Sequence, residues 1–511
     1  MELPTISTLL LTALTLFLLR VIYKYFVKPY ILLQSLKKIK GAVCFYKPLA
    51  GLYPEYSHDI NYHNDPFYSA KKRVKENPQM RFIATPVFDS ITIELYDPEL
   101  VKEFCSQMVR VFSKDQRVYS ILPPLALNGI FMTEGEKWKG QRKVISQVFH
   151  FEYMNKCIPV VNRTCQEWLK LHCNSPRSEV NVSEHLKAYT ASIVWQIFFG
   201  EGSVVPGGEA EKMMALNLKN LSDMTALVFS ALNMLFGAKY FKLGLGSLER
   251  NYYRDTKTIV DYYNKTFASM KKRYLEEKKA GVQQNRPKNL VELLIDEIAK
   301  DNSDDKMKDD EIVSQVFTFL TAGTDTTSNL LAVCQYLLAT NPDVQDKLRM
   351  EVKDCLGDAP EITYEHLAGM KYLDGVIKES LRCYGPVGFQ VPRVALQDTK
   401  IGELEIKKGY SVYASLICMH NNPNNFANPD QFRPERWIEK RDPGLSEAFM
   451  PFSAGGRRCI GEQLAYVEAK IMICELVRRF KLNLKQPFQL KMGFGLIYEA
   501  KSPITMIYEK L

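Results

Sequence analysis

Residues 452–461 read Phe452-Ser453-Ala454-Gly455-Gly456-Arg457-Arg458-Cys459-Ile460-Gly461, and the stretch from about Glu462 to Phe480 behind them has amphipathic helical spacing. A single cysteine is ordinarily a small buried hydrophobe. Here glycines on both sides let the backbone approach a flat ligand closely and turn amide N–H groups toward a sulfur, and the start of a helix lowers a thiolate's pKa. Arg457 and Arg458 precede the thiol, charges suited to carboxylates on a bound group. Such surroundings are unusual for a structural cysteine.

A second unusual segment lies upstream. Asp310 to Thr340 reads as the clearest long helix, opened by acidic residues and stopped by Asn341-Pro342. Its middle turns are apolar almost all round (Val313, Val316, Phe317, Phe319, Leu320, Leu330, Leu331), which predicts a helix running through the core. Yet its centre is Thr321-Ala322-Gly323-Thr324-Asp325-Thr326-Thr327. Glycine and polar side chains weaken a helix interior, so a functional cluster explains them better than a local kink.

The rest of the chain sets the frame for these two segments. It has 511 residues, 46% of them hydrophobic and 24% charged, enough apolar material for a large core. No Pro/Gly/Ser-rich linker divides it, and neither repeats nor low-complexity tracts are apparent. Beyond about residue 90 the periodicity is mostly helical, with strand-like runs at Phe82 to Leu95, around Thr399 to Tyr413 and near Leu490 to Ile507. The expected fold is mainly α with small β-sheets: a single large domain at 51–511 behind a membrane anchor at 1–23 and a basic linker at 24–50. The anchor follows from the uncharged, Leu-rich run Leu3 to Leu19 ahead of Arg20, Lys24, Lys28, Lys37, Lys38 and Lys40, an order that places the bulk of the chain in the cytosol. A cleaved signal peptide would carry its charge before the apolar run. The polar stretch Lys278 to Asp310 reads as exposed helix ends and loops.

Eleven scattered cysteines without CxxC pairs read as reduced, and four N-x-[S/T] sequons (Asn162, Asn181, Asn220, Asn264) read as chance. The net charge of +9 comes without the dense basic stripe that a nucleic-acid partner requires.

The loop F-x-x-G-x-R-x-C-x-G resembles the haem-binding loop of the cytochromes P-450; its four-residue core arises by chance in roughly one chain of this length in six hundred. Other motifs follow in the family's order. Trp138 and Arg142 resemble its W-x-x-x-R, sharing a helical face toward one propionate. Glu379-Ser380-Leu381-Arg382 resembles E-x-x-R, and Arg436 in Phe432-Arg433-Pro434-Glu435-Arg436-Trp437 resembles its third member, together a buried ion network of structural role. Arg393, in Val391-Pro392-Arg393, stands where the family has a further propionate-binding arginine. The chain departs from the family pattern at Ile406-Lys407-Lys408-Gly409 and at Gly456, where the family has prolines, and at 36–41, where the family has a Pro-rich hinge.

The resemblance implies a membrane-bound microsomal haem-thiolate monooxygenase of cytochrome P-450 fold, in the endoplasmic reticulum membrane. Cys459 would be the axial ligand of haem b, with Trp138, Arg142, Arg393, Arg457, Phe452, Gly461 and Gly323 binding the cofactor. Gly323 would clear room beside the iron. The Thr326 hydroxyl can back-bond to Ala322 or give a proton to the open face, and Asp325 can relay protons from solvent. No G-x-G-x-x-G fingerprint is evident, so electrons would come from a membrane flavoprotein reductase using NADPH, with Lys139, Lys143, Arg457 and Arg458 as its docking face. One atom of O2 would enter a lipophilic small molecule: fatty acid, sterol, terpenoid or foreign compound. Ala322, Thr327, Val387, Phe389, Leu496 and Ile497 are candidate pocket walls, and Met224 to Phe241 is the candidate roof. The rivals are a haem-thiolate isomerase or dehydratase that does not use O2, and a non-catalytic haem-binding protein.

Overall fold

The computed structural model describes residues 6–114, 119, 124–149, 151–204, 207–228, 246–282, 287–300, 306–439, 442, 444–494 and 497–511. The chain divides into two compact units. The first comprises Met1–Lys114, Gly388–Pro429 and Asp442–Arg457; the second comprises Asp115–Val387, Asp430–Arg441 and Arg458–Leu511.

The first unit begins with α1 (Ile6–Ile22), a π-helical turn at Tyr23–Val27 and α2 (Lys28–Leu36). Leu10–Leu36 is the one helix among the described residues long and apolar enough to cross a membrane. Leu10, Leu11, Phe17 and Leu19 expose more than half of their surface, as lipid-facing side chains do. Helix continues past Lys24 into the stretch expected as a linker, because Leu33 and Leu36 bury against the sheet of this unit. Next come α3 (Tyr53–His63), α4 (Tyr68–Glu76) and α5 (Pro98–Gln107).

The sheet has six strands in the order β1-β2-β3-β9-β6-β4. These are β1 (Ala42–Cys44), β2 (Phe82–Val87), β3 (Ser90–Leu95), β4 (Phe112–Lys114), β6 (Arg393–Ala395) and β9 (Ser411–Ala414). The expected run Phe82 to Leu95 is an antiparallel hairpin in the register Phe82↔Leu95 to Val87↔Ser90. Ile91, Ile93 and Leu95 alternate inward and are fully buried, which pins that register. A small hairpin, β7 (Thr399–Ile401) with β8 (Leu404–Ile406), occupies the second expected strand region with β9.

The second unit is mainly helical: α6 (Gly135–Val148), α7 (Phe151–His172), α8 (Val182–Phe199), α9 (Glu209–Val228), α10 (Ser247–Lys279), α11 (Leu290–Lys300), α12 (Asp309–Thr340), α13 (Pro342–Leu356), α14 (Lys371–Tyr384) and α15 (Glu462–Arg479). α12 is the predicted core helix, packed against α8, α14 and α15. Asp309, Asp310 and Glu311 open it, Glu311 accepting from the Lys308 amide at 3.0 Å, and Asn341-Pro342 ends it. The stretch expected as loops holds α11, whose Leu290, Val291 and Leu294 are buried, so a short amphipathic helix hides among polar neighbours. Asn162 and Asn220 are buried, Asn162 donating to Ile362 O at 2.8 Å, which removes both as sequon acceptors in the folded chain.

β5 (Arg177–Asn181), β10 (Phe480–Leu484) and β13 (Thr505–Lys510) form a three-stranded sheet, and β11 (Met492–Phe494) pairs with β12 (Tyr498–Ala500). Asn329 clamps that last hairpin to α12: its Nδ2 donates to Tyr498 O at 3.1 Å, and its Oδ1 accepts from the Ala500 amide at 3.2 Å.

Glu468 on α15 is fully buried, and its carboxyl makes no hydrogen bond or ion pair among the described residues. Desolvation alone holds its pKa well above the carboxylate range. The folded chain therefore keeps a proton that the unfolded chain gives up. Its stability cost is absent at acid pH and grows as pH rises above the unfolded pKa, by up to about 1.4 kcal/mol per pH unit. Glu468→Gln is expected to raise the thermal unfolding midpoint at pH 8 and to match the parent near pH 4; a parallel offset at every pH would contradict a protonated Glu468.

Candidate active site

The boundary between the units falls inside the 452–461 loop, between Arg457 and Arg458. On the first-unit side, Gly455–Arg457 makes one 3-10 turn packed against α5. Gly455 has φ +67°, and a Cβ there would lie 2.6 Å from Cys105 O, so only glycine fits. Gln390 Nε2 donates to Ser453 Oγ at 2.9 Å and steadies the turn.

On the second-unit side, Gly461 caps α15, and a Cβ there would stand 4.0 Å from Cys459 Sγ. Of the eleven cysteines, Cys459 alone is exposed by its residue surface. Protein packs closely around its sulfur. That packing pushes the thiol pKa up, outweighing the Gly461 and Glu462 amides and the Arg142 guanidinium, which pull it down. The helix-start amides thus lower the pKa as expected, and burial outweighs them in the free thiol. A cation on the sulfur removes the proton outright.

Trp138 and Arg142 share a face of α6, Trp138 buried and Arg142 half-buried. Burial lowers the Arg142 pKa, opposed by the neighbouring Cys459 sulfur. Among the described residues Arg142 forms no hydrogen bond or ion pair, so a half-buried guanidinium beside a thiol lacks an anion. A group bringing both a thiolate-binding metal ion and carboxylates fits this pair, and haem is such a group. α6 is fixed to the start of α12 by Lys137 Nζ at 2.8 Å from Glu311 Oε1.

The centre of α12 departs from the buried pattern of its two ends. Ala322 is exposed, while Thr318, Phe319, Asp325 and Thr326 are partly open. At spacings of three and four these form one stripe, so this side of a core helix borders accessible space. Thr326 Oγ1 donates to Ala322 O at 2.7 Å on that stripe. Thr327 is buried. Gly323 points elsewhere: a Cβ there would meet Val194 Cγ2 at 3.0 Å, so its missing side chain lets α8 approach α12. Thr190 Oγ1 of α8 donates to Thr324 O at 3.0 Å across the same contact.

Two residues distant in sequence frame Asp325. Lys187 Nζ lies 3.2 Å from its Oδ1 and 3.9 Å from Glu499 Oε2. Burial raises the Asp325 pKa, opposed by Lys187 and assisted by Glu499. Lys187 and Glu499 also line a polar recess of about 330 Å³ with Asn181, Ser183, Glu184 and Lys501.

Glu379, Arg382 and Arg436 are wholly buried and in contact. Arg382 donates to Glu379 through Nε at 3.0 Å and Nη2 at 2.8 Å, and Arg436 Nε donates at 2.9 Å. Two further donors have no signal in the sequence: Trp437 Nε1–H at 3.0 Å and the Arg433 amide at 3.1 Å.

In the first unit Arg393 is buried in β6, paired with Lys114 and Val412, and Phe452 and Arg457 are partly buried. Phe389 packs edge-on to Phe67 and against Tyr413. In the second unit Val387 is exposed and Ile497 buried. Leu496 and residues 229–241 of the expected roof lie outside the described residues. Met224 and Leu227 turn inward against Tyr252 and Met132. Two of the four expected docking cations are neutralised locally: Lys139 by Glu136 at 2.6 Å, and Arg458 by Glu462 at 2.7 Å.

A cysteine at a helix start, a guanidinium without an anion beside it and a polar break in a core helix are parts that a haem-thiolate site would require. The match to known proteins agrees: the model of the cytochrome P450 family covers residues 54–503, and the chain belongs to that family. It is accordingly an oxidoreductase, a haem-binding monooxygenase. It is similar to cytochrome P450 4X1 of Homo sapiens, 29% identical over 427 residues, 82% of this chain and 81% of the relative. It is similar also to cytochrome P450 4A10 of Mus musculus, 28% identical over 426 residues, with 82% and 81% covered. A third relative is the taurochenodeoxycholic 6 alpha-hydroxylase of Sus scrofa, 26% identical over 427 residues, with 82% of each chain covered.

Proposed function

We propose that the chain takes electrons from an NADPH-dependent membrane flavoprotein reductase and inserts one atom of O2 into a lipophilic small molecule, with Cys459 as the thiolate ligand. The observation that carries this is Cys459 itself, at a helix start, with the amides of Gly461 and Glu462 and the Arg142 guanidinium beside its sulfur. Haem bound there supplies the reductive activation of O2 and the oxygen insertion. The protein's contribution is to hold a carboxylate at Arg142 and to deliver protons. The name of the porcine relative, a hydroxylase, supports insertion at carbon. The apolar helix Leu10–Leu36 and the lysines after it support an endoplasmic reticulum anchor with the domain in the cytosol.

Proton delivery follows from α12. Thr326 Oγ1 holds its proton against Ala322 O, and a threonine on a helix has a second rotamer available, so exchanging one hydrogen bond turns that proton toward the open stripe. Asp325, its pKa raised by burial, takes protons from the polar recess by way of Lys187 and Glu499.

Thr326→Ala should bind haem, accept electrons and consume NADPH as the parent does, since none of these needs the hydroxyl. Product per NADPH should fall by roughly tenfold or more while hydrogen peroxide per NADPH rises. Asp325→Asn should slow turnover more than it uncouples it, because the amide keeps the shape but carries no titratable proton. Product and peroxide measured against NADPH, with a reconstituted reductase and a substrate found by binding spectra, test both. Unchanged coupling in Thr326→Ala would remove the proton-relay role.

A further inference from the structure

We propose that the corner between α3 and α4 binds a zinc ion through His58, Asp59 and His63. Two imidazole nitrogens and a carboxylate oxygen are offered there, the three ligand atoms within 4.8 Å of one another. His58 Nδ1 is already 3.7 Å from Asp59 Oδ1. Asp59 and His63, four residues apart, share one side of the helix. α3 ends on Asn64 at φ +52°, which places His63 in the last turn beside the entry to α4.

What distinguishes this corner from ordinary surface histidines is the fixing of each ligand. Asp59 is buried: its Oδ2 accepts from the Ser69 amide and its Oδ1 from Ser69 Oγ, each at 2.7 Å, leaving lone pairs toward the histidines. Such hydrogen bonds orient metal-binding carboxylates and raise affinity. The imidazoles are exposed but walled by tyrosine rings, His58 stacked on Tyr62 at 4.6 Å and His63 on Tyr68 at 3.7 Å, with 5.7 Å between the two imidazole centroids. Zinc bonds of about 2.0–2.2 Å require the ligand atoms to close to about 3.4 Å, a small swing for exposed rings. A water completes the tetrahedron. Imidazole ligands select zinc over magnesium or calcium. Bound there, the ion fastens the last turn of α3 to Tyr68 and Ser69 of α4, and none of its ligands belongs to the haem site.

The test uses the full-length, haem-loaded protein in lipid nanodiscs, stripped with a chelator and dialysed against micromolar zinc chloride, with zinc content and zinc-edge X-ray absorption as readouts. One added equivalent with only nitrogen and oxygen neighbours is expected, absent from His58→Ala/His63→Ala and bound about tenfold more weakly by Ser69→Ala. The single surface change His63→Gln should also lose that equivalent, and unaltered haem content certifies the fold of each variant. No zinc on the parent, sulfur among the neighbours, or equal zinc on His63→Gln would overturn the proposal.

Discussion

Glu379→Ala and Arg382→Ala are expected to yield chains that lose haem during expression. The Glu379 carboxylate receives Arg382, Arg436, Trp437 and an amide in a space without solvent. Removing the carboxylate strands two buried guanidiniums, and removing Arg382 leaves the anion short of two bonds. Either change costs about 3–5 kcal/mol, a large share of a domain's stability. The network also fixes the 431–437 segment, since Arg382 Nη2 donates to Gln431 O at 3.1 Å. Trp437→Phe keeps both ion pairs and deletes one charge-assisted hydrogen bond, so a milder loss of about 1.5–3 kcal/mol is expected. Haem per polypeptide after purification, by absorbance against protein content, reads the series: near zero for the two alanine variants, reduced for Trp437→Phe. Full haem content in Glu379→Ala would make the network dispensable.

Cys459→Ser is expected to abolish monooxygenase activity and the thiolate spectrum together. A neutral hydroxyl cannot replace a charged sulfur, and no other exposed thiol is available to substitute. Arg142 and the amides of Gly461 and Glu462 remain in place, so residual haem bound in the variant should show the spectrum of a weak oxygen ligand. A variant that keeps the parent's Soret position and turnover would move the ligand elsewhere.

Local patterns make the core of this site readable in the amino-acid sequence. The thiolate loop, the polar break in α12 and the Glu379/Arg382 pair each lie within one turn or one short loop, where spacing alone fixes geometry. The strands are legible where alternation is regular, as in Ile91, Ile93 and Leu95. What spacing cannot carry is a partner supplied from far along the chain. Lys187 and Glu499 around Asp325, and Trp437 on Glu379, come from elements whose approach is set by packing. The pull of the helix start on Cys459 is readable, but not the desolvation that outweighs it. Gly323 reads as room beside an open face, yet the neighbour its missing side chain admits is Val194 of α8. α11 is lost among polar residues because its apolar side spans only two turns.

The most direct measurement is the absorbance spectrum of the full-length protein, reduced and saturated with carbon monoxide, alongside Cys459→Ser. Ligation by the Cys459 thiolate predicts a Soret band displaced to long wavelength from that of a haem with a neutral nitrogen or oxygen ligand, and lost in the variant. A parent band at the neutral-ligand position, or a displaced band that survives Cys459→Ser, would contradict it.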